Sequence, residues 1–335
     1  MSEVQDASAG PGDTVAAAEA RRLEPGELAY FEGEFVPLSQ ARIPITTHAF
    51  NYGTGCFEGI RAYWNQERRQ LYVLRLREHL ERLVRSARIL KLDFEADLPA
   101  LESLMRELLA RNGYQQDAYL RPIVYKAGST IKVALTGIET GFCAYTIPMG
   151  DYLDIERGLT LTISAWRRIE DNAIPARGKP TGAYINAAMA SDEARLKGFD
   201  EAVMLTSDGH VAEASSANLF LFESGVLVTP ETADEILVGV TRGCVVELAR
   251  HLGYGVEVRR VDRSELLSAE EVFLCGTGVQ IAPVVGIDGR PVGGGRPGEV
   301  TMSLQRAYLD IVRGVRTDFD EWRTPVYRDR PATGG

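Results

Sequence analysis

Chemistry that needs a reactive amine has few places to occur on this chain, because lysine is found only at Lys91, Lys126, Lys132, Lys179 and Lys197. A lysine that forms a Schiff base must be held in one place and must be able to lose its proton. Lys91 follows a charge-rich helical stretch, and Lys197 falls in the last turn of an expected helix, where a cation complements the dipole. Both read as solvated. Lys126 and Lys132 flank a Gly-Ser segment and suit either a surface or a binding role. Lys179 differs: it lies in IPARGKPTGAY, between Gly178 and Pro180. The proline biases it toward extended backbone, and its small neighbours leave room for a bulky ring. Taken alone, the same segment also reads as a solvated surface loop.

Other candidates carry the same two readings. Glu213 opens EASSANLF, either as an exposed hairpin carboxylate or as an acid set before a buried strand. Thr241 in VGVTR opens an expected helix, where free N–H groups and the dipole favour an anion; a plain helix cap is the alternative. Arg61 ends GCFEGIR and can offer an anion a bidentate contact. Cys56, Cys143, Cys244 and Cys275 are far apart and form no CxxC pair, so reduced thiols are expected. His48, His79, His210 and His251 form no HExxH-type cluster, and no metal site is expected. GTGCFEG at 53–59 spaces its glycines wrongly for a dinucleotide fingerprint.

The elements that must position these residues follow from periodicity. LAYFEGEFV suggests two short strands around Glu32-Gly33, and 71–74, 118–125 and 141–147 read as strands. Leu76, Leu80, Leu83, Val84, Ala87 and Leu90 have helical spacing, and a second helix is expected over about 98–111. Beyond 150, strands are expected at 159–165, in NLFLF, in VLVTP and at 271–275, with a hairpin across the Ser-Asp-Gly turn after Leu205. Helices are expected at about 184–197, stopped by Gly198, and at 241–252, stopped by Gly253. Without a regular βαβ rhythm the fold class is α+β. A chain of 335 residues suits two domains. The expected division is an extension over 1–24, a smaller domain over 25–149, a connector over 150–157, a larger domain over 158–320 and a flexible tail over 321–335. A net charge of −10 argues against a broad nucleic-acid surface while allowing a local basic pocket. No apolar run has membrane-span length and no secretory signal is visible, so a cytoplasmic location is expected.

Six motifs in order, GCFEGIR, YLRP, the lysine segment, EASSANLF, VGVTR and LCGTG, resemble the branched-chain amino-acid aminotransferases, which are fold-type-IV (class IV) enzymes dependent on pyridoxal 5'-phosphate (PLP). The resemblance runs from about Ala29 to Val312 and implies a smaller N-terminal and a larger, cofactor-binding C-terminal domain. It implies that Lys179 is the Schiff-base lysine, that Tyr184 bonds the cofactor's phenolic oxygen and that Glu213 faces the pyridine nitrogen. Arg61, Val240, Thr241 and Thr277 are implied to hold the phosphate. Tyr52, Phe57, Tyr119, Arg121 and Gly278 are implied on the substrate side, with Arg121 linked to the distal carboxylate of glutamate or 2-oxoglutarate. The implied reaction is ping-pong transfer of an amino group between an amino acid and a 2-oxo acid by a homodimer or larger homo-oligomer. Three departures bear on specificity. KAGSTIKVALTG at 126–137 replaces a glycine-rich turn, Gln280 replaces an acidic residue, and Pro180 follows the lysine. They leave open a specialised biosynthetic aminotransferase. The same fold also serves D-amino-acid and (R)-amine aminotransferases and aminodeoxychorismate lyases, and a non-catalytic PLP-binding protein is the reading outside catalysis.

Overall fold

The computed structural model describes residues 26–150 and 157–327. The expected N-terminal extension and most of the 150–157 connector lie outside the described residues.

The first half begins with the hairpin expected around Glu32-Gly33. Strands β1 (Leu28–Phe31) and β2 (Glu34–Pro37) flank a turn with φ of 51° at Glu32 and 93° at Gly33, the left-handed pair that suits a tight hairpin. There follow α1 (His48–Tyr52), β3 (Gly55–Phe57), β4 (Ile60–Asn65) and β5 (Gln70–Leu74). Helices α2 (Leu76–Ile89) and α3 (Leu98–Asn112) precede β6 (Ala118–Lys126) and β7 (Thr140–Pro148). Leu76, Leu80, Leu83 and Ala87 of α2 and Leu101, Met105 and Leu108 of α3 turn one face onto the sheet and are buried there. Each such leucine contributes roughly 1.5–3 kcal/mol.

The second half runs β8 (Leu159–Ile163), α4 (Tyr184–Leu196), β9 (Glu201–Leu205), β10 (Val211–Ala214), β11 (Asn218–Glu223) and β12 (Val226–Thr229). It continues with α5 (Val240–His251), β13 (Gly255–Val258), α6 (Glu265–Ser268), β14 (Glu271–Gly276), β15 (Gln280–Ile287), β16 (Arg290–Pro291) and α7 (Glu299–Val312). The last strand, β17 (Arg323–Pro325), returns to the first sheet.

The first sheet has the order β17-β5-β4-β6-β7-β1-β2, with β3 also on β6; the second has β10-β9-β8-β15-β14-β11-β12-β13, with β16 on β15. The first is antiparallel throughout, and the second is mixed, so the α+β class stands. A shared core joins the halves: Tyr63 and Leu74 of the first sheet pack with Leu304, Tyr308 and Ile311 of α7 and with Trp322.

Two expectations change. Residues 321–327 are not a loose tail, because Trp322 is fully buried, β17 pairs with β5 and Val326 is buried beyond it. Helix α7 was not foreseen, although Val300, Leu304, Ala307 and Ile311 have helical spacing. No described helix is long and apolar enough to cross a membrane.

Candidate active site

The two halves are stitched at a pair of turns. Thr277 donates its hydroxyl to the Gly59 carbonyl (2.9 Å), and Arg61 Nη1 donates to the Gly278 carbonyl (3.2 Å). Arg61 also donates to the Gly150 carbonyl (2.9 Å) and lies 3.7 Å from Asp117. Gly59 is required here: a Cβ would stand 2.2 Å from the Tyr119 hydroxyl. The β3–β4 turn and the β14–β15 turn therefore hold Arg61, Thr277 and Gly278 in one place.

Lys179 lies beside this junction in a segment strapped to β3. Its N–H donates to Ser86 Oγ (3.0 Å) and its carbonyl accepts from the Phe57 N–H (3.2 Å), while Pro180 bridges to Cys56. The surface-loop reading fails because both backbone groups are used. Lys179 Nζ lies 5.3 Å from the ring centroids of both Phe57 and Tyr184. Tyr184 is the first residue of α4, and its ring packs on Phe57 at 4.8 Å. Lys126, by contrast, is buried and donates to the carbonyls of Lys91 and Ile138, so it is a structural tie rather than a surface or ligand-binding lysine.

Glu213 is buried, not an exposed hairpin residue. Arg168 Nη2 lies 2.9 Å from its Oε1, Asn218 Nδ2 donates to Oε2 (2.9 Å), and the Leu237 N–H approaches both oxygens at 3.3 and 3.2 Å. Burial raises its pKa above the ordinary carboxylate value, opposed by Arg168, the Leu237 N–H, Lys179 and Arg82. Asn218 also donates to the Leu237 carbonyl, which fixes the turn leading into α5. A Cβ on Gly239 would meet Asn218 Oδ1 at 2.0 Å, so any larger residue there would push the Asn218 amide from its place. Gly239, rather than Thr241, is the N-cap; Thr241 is buried one residue inside α5, after Val240. No side chain caps α5 and no acidic residue stands in its first turn, which leaves its leading N–H groups suited to an anion. Asn218 pairs with Cys275, so this turn and the Gly276–Gly278 turn leave the same end of the second sheet.

Across the lysine, the Arg121 guanidinium lies 4.3 Å from the Phe57 ring centroid and donates to the Tyr119 hydroxyl (2.6 Å). Burial raises the Tyr119 pKa, opposed by Arg121. Phe57, Tyr119, Arg121, Tyr184 and Lys179 thus form one contiguous group. Tyr52 takes a different part: its hydroxyl donates to the Ile131 carbonyl and its ring packs on His48. It anchors the 126–137 segment.

Three features escaped sequence reasoning. Arg168 carries no local signal. Asn218 is hidden in a strand motif. Glu58, His79, Arg82 and Ser86 form a buried polar set, and the last three lie on one face of α2 at spacings of three and four. That stripe inside an apolar face was a usable signal.

The fold and site define an aminotransferase of class IV. The class IV amino-transferase family model matches residues 55–287, and the chain belongs to that family. A probable branched-chain-amino-acid aminotransferase of Aquifex aeolicus is 43% identical over 302 residues, covering 90% of this chain and 97% of its own. The branched-chain aminotransferase of Thermoproteus uzoniensis, solved with norvaline, matches with a TM-score of 0.86 at 39% identity, over 90% of this chain and 99% of that one. The T.th. branched-chain amino acid aminotransferase, complexed with N-(5'-phosphopyridoxyl)-L-glutamate, matches with a TM-score of 0.86 at 35% identity, over 91% of this chain and 100% of that one.

Proposed function

We propose that this chain is a PLP-dependent aminotransferase that moves an amino group between an apolar amino acid of the branched-chain type and a 2-oxo acid such as 2-oxoglutarate. The observation that carries the reading is the Lys179 amine beside the packed Phe57 and Tyr184 rings, 5.3 Å from each centroid, within electrostatic reach of the buried Glu213 carboxylate. The donor set fits PLP: the uncapped helix start with Val240 and Thr241 suits the phosphate, Tyr184 suits the phenolic oxygen, and Thr277 and Arg61, bonded to the Gly59 and Gly278 carbonyls, hold the junction of the two halves. PLP, when bound, supplies an aldehyde for the lysine and a ring that draws electrons from the reacting carbon.

Each residue then has defined work. Glu213 favours a proton on the ring nitrogen, since an anion raises the pKa of a neighbouring base. The Lys179 amine, once displaced, carries a proton between substrate carbon and cofactor. Phe57 and Tyr119 wall an apolar side chain, with Tyr52 and Gly278 bordering the substrate side. Arg121 offers its charge to a distal carboxylate while its stem covers apolar surface. Relatives solved with norvaline and with a phosphopyridoxyl-glutamate conjugate support a pocket of this dual kind.

A second copy of the chain completes the assembly. Ile45, Phe50, Ile131 and Val133 are exposed on two segments that hydrogen bonds hold together, an apolar surface suited to a homodimer. The four thiols are unpaired, which suits a reducing cytoplasm. An amino-donor panel against 2-oxoglutarate and pyruvate tests the reading. Leu, Ile, Val and Glu should convert the cofactor spectrum and release their oxo acids. A protein that holds PLP without turnover on any donor would refute it.

A further inference from the structure

The registers of the first sheet sort its residues between two faces. Cys56, Ile60, Leu120, Val124 and Ala144 pack into the core with α2 and α3. Side chains alternate along a strand, so the residues between them take the opposite face. Phe57, Tyr119 and Arg121 lie there, in the group around Lys179. Tyr145 belongs to the same face. It stands directly opposite Arg121 in the β6–β7 register, between Ala144 and Thr146. Both of those are buried on the helix side, where the Thr146 hydroxyl meets Asn112 and Tyr114 at 3.0 Å. Directly opposed residues of an antiparallel pair hold their Cβ atoms about 4.5–5.5 Å apart. Tyr145 is therefore a neighbour of Arg121 on the site side.

The two phenols beside Arg121 are engaged differently. The Tyr119 hydroxyl accepts from Nε (3.2 Å) and from Nη2 (2.6 Å), which fixes the guanidinium against the Phe57 ring. Tyr145 is half-buried, and no described residue hydrogen-bonds its hydroxyl. Burial works against the Arg121 charge, while Tyr119, then Tyr145 and Tyr184, support it. Tyr145 thus stands within electrostatic reach of the guanidinium with its O–H unspent. A carboxylate that leaves water needs partners for both of its oxygens. With part of the guanidinium spent on Tyr119, a neighbouring phenol supplies a further donor. A second cation there would be stranded whenever an apolar side chain filled the pocket. A phenol is neutral and mostly apolar, so it suits both kinds of substrate.

We propose that Tyr145 is a specificity-determining residue whose hydroxyl donates to the distal carboxylate of glutamate or 2-oxoglutarate, beside Arg121. The inference rests on the reading that Arg121 faces that carboxylate. It separates two donors of equal chain length: glutamate, which carries a distal carboxylate, and norvaline, which ends in a methyl group. Tyr145→Phe removes the hydroxyl and keeps the ring, so the packing of the sheet face is retained and only the acidic substrate loses a partner.

The test follows the half-reaction of full-length, PLP-loaded protein with each donor by stopped flow, alongside thermal melts. In Tyr145→Phe the ratio of glutamate to norvaline efficiency should fall by about tenfold or more, the effect of losing one hydrogen bond to a charged group. An unchanged ratio, or parallel loss with both donors, overturns the proposal and leaves Tyr145 as a packing residue of the sheet. Arg121→Met keeps the underlying reading separate. If Arg121→Met lowers the ratio and Tyr145→Phe does not, the Tyr145 proposal fails alone. If Arg121→Met leaves the ratio unchanged, the reading of Arg121 fails, and the proposal with it.

Discussion

Glu213 is a carboxylate that water scarcely reaches, and its neighbours decide what it does. Burial pushes its proton affinity up, while Arg168, the Leu237 N–H and Lys179 favour the charged form. Glu213→Gln should retain bound PLP but slow the single-turnover half-reaction by about tenfold or more, the effect of losing a charge-assisted contact in the transition state. Stopped-flow traces that match wild type would remove Glu213 from that role. Lys179→Ala should abolish the visible absorbance of the purified protein, and a borohydride-trapped cofactor on another lysine would move the assignment. Arg121 sits over Phe57 and against Tyr119, so Arg121→Met removes charge but keeps length. Efficiency with glutamate or 2-oxoglutarate should fall by at least about tenfold more than with an apolar donor. Equal losses in both half-reactions would make Arg121 a structural partner of Tyr119 instead. Lysine scarcity and the Gly-Lys-Pro setting made Lys179 readable in the sequence. Arg168 was not, because only the fold brings its strand's exit beside β10.

Helix α2 shows what periodicity can and cannot deliver. Its leucines at spacings of three and four predicted both the helix and the face that packs on the first sheet. The same face also holds His79 and Arg82, and reading polar residues there as solvated would miss Glu58 entirely. Burial alone would raise the Glu58 pKa, but the charge and hydrogen bonds of Arg82, with His79, hold it well below the usual carboxylate range. Burial pushes His79 below its own usual value, so it meets Glu58 as a neutral donor. A carboxylate with a depressed folded pKa stabilises fully above its unfolded pKa and loses that contribution as pH falls toward the folded one. Glu58→Gln leaves a buried guanidinium without its anion and should cost roughly 3–5 kcal/mol at neutral pH. Urea unfolding at a series of pH values should show the gap between wild type and variant narrowing on acidification. A gap that stays flat or widens in acid would mean that Glu58 is not ionised in the folded protein. Strand β17 lay beyond such reasoning, because three residues give no period, and their register with β5 depends on the buried Trp322.

At the scale of the molecule, the first half carries an apolar surface that the described residues leave uncovered. Ile131 and Val133 are 90% and 83% exposed, and Ile45 and Phe50 are 82% and 67% exposed. A loose loop would explain such residues singly, but these are held. The Thr46 and Ser129 hydroxyls meet at 3.0 Å, the His48 N–H donates to the Gly128 carbonyl, and Tyr52 donates to the Ile131 carbonyl. His48 Nε2, 2.9 Å from the Lys132 carbonyl, must be its protonated nitrogen, because a carbonyl only accepts. A hydrogen-bonded segment that exposes large aliphatic groups suits an interface, and in the proposed homodimer a second copy would cover it. Sedimentation should give twice the 36.8 kDa chain mass. Ile131→Asp with Val133→Asp should shift the protein toward the monomer at micromolar concentration, since each buried aliphatic group is worth roughly 1.5–3 kcal/mol to the interface. Neither residue touches Lys179, Glu213 or Thr241 in one chain, so a monomer that binds PLP normally but turns over poorly would place part of the substrate pocket across the interface. A double variant that sediments like wild type would show that the second copy docks elsewhere, and the unusual 126–137 segment would then be free to meet the substrate side instead.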